Sequence, residues 1–124
     1  MRYAILCYNS EDVVAAWSRE EDDATMARLA KVEEKVAAQG RLGPVARLLP
    51  TTSATTLRKG AGEPLVIDGP FAETKEQFLG FYIVDVPNLE DALDIARELS
   101  IANPGTGSYE IRPIGVYHPW PLAT

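Results

Sequence analysis

Hydrophobic positions in this chain follow two spacings. Tyr3 to Tyr8 and Phe78 to Val84 are apolar at nearly every position. Strands without polar alternation are buried on both faces. Met26, Leu29, Ala30, Val36 and Ala37 instead recur at helical spacing, with Arg28, Lys31, Glu34 and Lys35 opposite. Leu89, Ala92, Leu93, Ala96 and Leu99 form a second stripe against Asp91, Asp94, Arg97 and Glu98.

Punctuation residues set the boundaries. Residues 2 to 8 read as a strand, and Glu11 to Trp17 as a short connector with about one helical turn. Ser18 and Glu21 form a capping box that opens a helix running to about Gln39, where Gly40 suits the left-handed C′ position. The acidic run Glu20 to Asp23 belongs to its first turn, where the helix dipole favours negative charge. Arg41 to Pro50 is extended but interrupted by Gly43-Pro44, and Ala54 to Lys59 pairs with Pro64 to Asp68 as a hairpin. Thr74 and Gln77 repeat the capping-box pattern and predict one helical turn. Phe78 to Val86 is a strand, Asn88 caps a second helix that ends before Pro104, and Ser108 to Val116 is the last strand. Pro113 puts that strand at a sheet edge.

This order predicts an α+β fold, a ferredoxin-like βαββαβ sandwich with an inserted hairpin. A single domain spans residues 1–118, followed by an irregular tail, 119–124. Two helices cover only one face of such a sheet, while its strands are apolar on both. A second copy is the economical cover, which predicts a homodimer closed through the sheets in an α/β-barrel-type assembly.

Composition removes several classes of function. The chain has 124 residues, 46% of them hydrophobic, and a net charge of -6. Its 12 basic residues are scattered, so nucleic acid is not an expected partner. No apolar run is long enough to span a membrane. The opening strand lacks the cleavage pattern of a signal peptide, and the single cysteine, Cys7, is expected in an apolar strand, compatible with the cytoplasm. No clustered His or Cys spacing predicts a metal, and no phosphate loop or nucleophile elbow is present. No cofactor is expected.

The most distinctive segment is Asp68-Gly69-Pro70-Phe71-Ala72-Glu73-Thr74-Lys75-Glu76-Gln77. It spends about ten residues where a plain connection needs two to five. It groups Asp68, Glu73, Lys75 and Glu76 around Phe71, which is expected to pack inward and fix the loop. Together with Arg2-Tyr3, the run Ala54 to Arg58, Gly80-Phe81-Tyr82 and the run Glu110 to Pro113, this segment resembles the signature of the DGPF family within the YCII-related superfamily. That resemblance covers nearly the whole chain. It implies a ferredoxin-like fold, dimerisation through the sheets, a bacterial cytoplasmic setting and genes beside extracytoplasmic-function sigma factors. Some members of the superfamily share a His and Asp pair in a cleft. Here the only histidine, His118, follows the last strand, so that pair does not carry over.

One carboxylate stands in an apolar place. Stepping along the first helix puts Glu33 within the apolar stripe, where it needs a partner, Arg112 or Arg2, or takes up a proton. The alternative is that the helix rotates slightly and Glu33 reaches an edge. The candidate catalytic residues are therefore Asp68, Glu73 and Glu33, and the candidate ligand contacts are Phe71, Lys75, Glu76, Tyr82 and Arg112. Three functions stand open: a small-molecule enzyme using a carboxylate-lined cleft, a non-catalytic ligand-binding or regulatory module, and a structural dimer. Paired carboxylates of raised pKa would mark the first, and a roomy apolar cavity the second.

Overall fold

The computed structural model describes residues 1–120. Ten elements follow in chain order: β1 (Arg2–Asn9), α1 (Glu11–Ala15), α2 (Arg19–Ala38), β2 (Leu42–Arg47), a 3-10 turn (Thr51–Ser53), β3 (Thr55–Arg58), β4 (Leu65–Asp68), β5 (Gln77–Asp85), α3 (Leu89–Ala102) and β6 (Ser108–Pro113). Four strands form one antiparallel sheet in the order β2-β5-β1-β6, and β3 pairs with β4 as a separate hairpin. This mixed α+β architecture is compatible with a ferredoxin-like sandwich, and the inserted hairpin is where the turn chemistry placed it.

Local chemistry explains the ends of the helices. Glu21 N–H donates to Ser18 Oγ (3.1 Å), and the Glu21 carboxylate accepts from Ser18 N–H, closing the capping box of α2. At its other end Gly40 takes φ 70°, while Gly40 N–H donates to the Ala37 carbonyl and Arg41 N–H to that of Val36. That is a Schellman ending. Asn88 caps α3 by accepting from Asp91 N–H (2.9 Å). The second capping-box pattern forms no helix: Thr74 donates to the Glu76 carbonyl and Gln77 to the Thr74 carbonyl, which tightens the entry to β5.

Prolines mark both sheet edges. Pro113 lies on β6, which pairs only with β1, and Pro44 lies where the register of β2 against β5 slips between Leu42 and Val45. Both are positions where a missing N–H costs little.

The core lies between the inner sheet face and the helices. Tyr3, Ile5, Tyr82 and Val84 meet Leu29, Val36, Ile95 and Leu99, all buried. The buried side of α2 is Thr25, Leu29 and Val36, whereas Met26 and Ala37 are exposed, so the helix is rotated from the expected stripe. Arg28 faces α3 in part, since its Nε donates to the Ala102 carbonyl (2.7 Å) at the C-terminal end of α3. A cation suits the negative end of a helix. On the outer sheet face Leu6, Phe81 and Ile83 are half-buried and Phe78 is exposed, so one chain alone buries one face and leaves the other partly open.

Candidate functional site

A cavity of about 390 Å³ opens between the inner sheet face and the paired helices. Its floor is the inward row of the sheet, Cys7, Tyr82, Tyr109 and Ile111, where alternation puts successive inward residues on one side. Leu29, Met26 and Glu33 line it from α2, and Leu93 and Ala96 from α3. Val14 and Trp17 close it from the α1 side. Glu11 anchors that side, its carboxylate accepting from Thr51 N–H (2.8 Å) and from the Thr51 hydroxyl.

The far rim is built around Asn9, which is 5% exposed. Its Nδ2 donates to the Thr106 carbonyl (3.1 Å), and its Oδ1 accepts from Ser10 N–H (2.8 Å) and Thr106 Oγ1 (3.0 Å). These bonds press the 105–107 turn onto the end of β1. At Gly107 an added Cβ would lie 2.8 Å from the Tyr8 carbonyl, so only glycine allows this approach.

Burial governs the protonation of the interior groups. It pushes the Cys7 thiol up to about 12, so Cys7 stays a neutral thiol. It raises the phenol of Tyr82, and the Cys7 thiol, Glu33 carboxyl and Tyr109 phenol nearby add to that shift. It also raises Tyr109 and lifts Glu33 above the ordinary carboxylate range. Cys7, Tyr82, Tyr109 and Glu33 therefore share one mainly apolar space, and burial favours the neutral form of each. Among the described residues no group of His, Cys, Asp and Glu is arranged to hold a metal, and no helix is long and apolar enough to cross a membrane.

The model of the YCII-related domain matches residues 1–117. The chain belongs to the YCII-related domain family. An uncharacterized protein of Rhizobium meliloti (strain 1021) is 61% identical over 122 residues, a match that covers 98% of each chain.

In this YCII-related chain only two of the eight residues singled out from sequence, Glu33 and Tyr82, line the cavity. Glu76 reaches its edge, accepting a long hydrogen bond (3.5 Å) from Ser108, a lining residue. Asp68, Glu73 and Lys75 are exposed away from it, and Lys75 forms no ion pair among the described residues. Phe71 does not pack inward: it is 79% exposed. Neither expected partner reaches Glu33. Arg112 pairs in register with Ala4, on the sheet face turned away from the helices, and Arg2 lies 3.9 Å from Asp85 and over the Tyr117 ring. His118 is exposed and stacks on Trp120.

Sequence reasoning missed Asn9, Trp17 and Tyr109. Trp17 precedes the N-cap of α2, where an apolar residue normally staples onto the fourth helical position. That position is Asp22, which leaves the indole free to turn into the cavity. This mismatch was the available signal. Asn9 read as a turn residue because its partners lie near residue 106.

Proposed function

We propose that this protein binds a small, mainly apolar molecule in the helix–sheet cavity, with Glu33 as its polar anchor, and that it does so as a homodimer. The observation that carries the reading is the cavity itself. Its volume falls within the range of small-molecule sites, its walls are mainly apolar and aromatic, and few polar groups converge in it. The carboxylates of the 68–76 segment are not gathered there, which favours a binder over a paired-carboxylate enzyme.

The motif Asp68-Gly69-Pro70-Phe71 supports placement in the DGPF branch of the family. Within the dimer reading, the exposed Phe71 and the half-open outer sheet face are surfaces for the second copy. Asp68, Glu73, Lys75 and Arg112 then lie at or near that seam.

Calorimetry with indole tests the cavity. One molecule should bind per chain, and Leu93→Trp, which fills the space from α3, should abolish binding without unfolding the protein. Binding that survives Leu93→Trp would place the ligand elsewhere. A second reading, in which Glu33 works as a general acid or base, is favoured by its raised proton affinity in a partly desolvated site. It requires turnover that Glu33→Gln abolishes.

A further inference from the structure

Three charged side chains line the cavity, and their surroundings differ. Arg47 is held by Asp22 (3.0 Å). Arg97 is held by Asp94 (2.7 Å), with Glu90 at 3.8 Å. Both arginines therefore bring their own counter-charge, and both are exposed at the mouth. Glu33 has no such partner: among the described residues it makes neither an ion pair nor a side-chain hydrogen bond. The cavity thus holds one uncompensated carboxyl facing an apolar space.

The walls around that carboxyl are aromatic. Trp17, Tyr82 and Tyr109 contribute to the lining, from the α1 side, β5 and β6 respectively. Ring faces attract cations, and a partly desolvated carboxylate with no ion-pair partner gains from a charged donor. An anionic ligand would meet the Glu33 carboxylate with no unpaired cation among the described lining residues to balance it. A neutral ligand would satisfy the apolar walls and leave Glu33 without an ionic partner.

We propose that the cavity takes a small protonated organic amine, its N–H donating to Glu33 and its apolar or aromatic body lying along Leu29, Leu93 and the tyrosine rings. This rests on the reading of the cavity as the ligand site and adds the chemical class of the ligand. The β6 side of the sheet supplies no competing partner, since Arg112 points to the opposite face. The amine completes an interaction that the fold leaves open.

Three indoles of similar size separate the possibilities by calorimetry near neutral pH: tryptamine (cationic), tryptophol (neutral) and indole-3-acetate (anionic). Tryptamine should bind about tenfold more tightly than tryptophol, the scale of one hydrogen bond to a charged group, and indole-3-acetate more weakly than either. Glu33→Gln should reduce tryptamine to the level of tryptophol and leave tryptophol little changed, in a variant whose thermal melt confirms folding. If that variant fails to fold, the ranking of the three ligands on the parent protein decides. Tryptophol binding as tightly as tryptamine, or tryptamine unaffected by Glu33→Gln, would overturn the amine assignment while leaving an apolar binding site. No binding by any of the three would overturn the cavity reading and the amine with it.

Discussion

Glu33 and Cys7 share one cavity, and burial favours the neutral form of both. Burial raises the Glu33 carboxyl above its ordinary value, so between that value and the raised one the folded chain holds a proton that the unfolded chain has lost. Unfolding free energy then falls as pH rises through this window. Replacing Glu33 with Gln removes that fall. Urea midpoints of parent and Glu33→Gln should match at acid pH, with the variant the more stable above the window; a difference that does not grow with pH would contradict the assignment. The same burial makes Cys7 inert. With its thiol pushed up to about 12, the native protein at about pH 8 should react with a disulfide reagent on the order of a thousandfold more slowly than the urea-unfolded chain. Equal rates would mean that the thiol is solvated.

At the scale of elements, the contact between β2 and β5 turns on Gly80. A Cβ there would lie 2.3 Å from the Ala46 carbonyl oxygen and 3.1 Å from the Arg47 Cα, both backbone. Neither can swing aside as a side chain does. Gly80→Ala is expected to cost about 3 kcal/mol, at the upper end of overpacking penalties, read as a lowered urea midpoint with loss of indole binding. This requirement was hidden in the sequence, where Gly80 sits in an apolar run as if it were a gap. The bulge beside it, where the register shifts between Cys7 and Tyr8, was equally hidden. The helices were legible because their ends carry local chemistry: Ser18 with Glu21, Gly40 and Asn88 each act within a few residues. The site was less so. Glu33 stood out as a carboxylate in an apolar stripe and Trp17 left a local signal in its missing staple partner, but Asn9 and Tyr109 gain their roles from residues distant in sequence. The 68–77 segment drew notice by its charge, and charge is what keeps most of it in solvent.

For the whole molecule the proposal of a dimer rests on the outer sheet face. Leu6, Phe81 and Ile83 are half-buried there, with Tyr8 and Phe78 in ring contact at 5.7 Å. On the dimer reading, light scattering at micromolar concentration should give about twice the monomer mass of 13.5 kDa, with an interface above roughly 1,200 Å². Phe81→Glu, which places a charge on that face, should shift the protein to monomer without unfolding it; a parent protein of monomer mass would remove the dimer. The sheet has a further consequence, one of timing. β1, one of its two inner strands, precedes both its partners, β5 and β6, in the chain, and the Tyr8–Glu110 hydrogen bond spans 102 positions. During synthesis β1 therefore waits as an unpaired apolar segment until β5 (Gln77–Asp85) has emerged from the ribosome. Contacts this distant close slowly, and exposed strands bind chaperones or one another meanwhile. Yield of this protein in a cell should depend on the rate of translation and on holding factors more than on the stability of the finished fold.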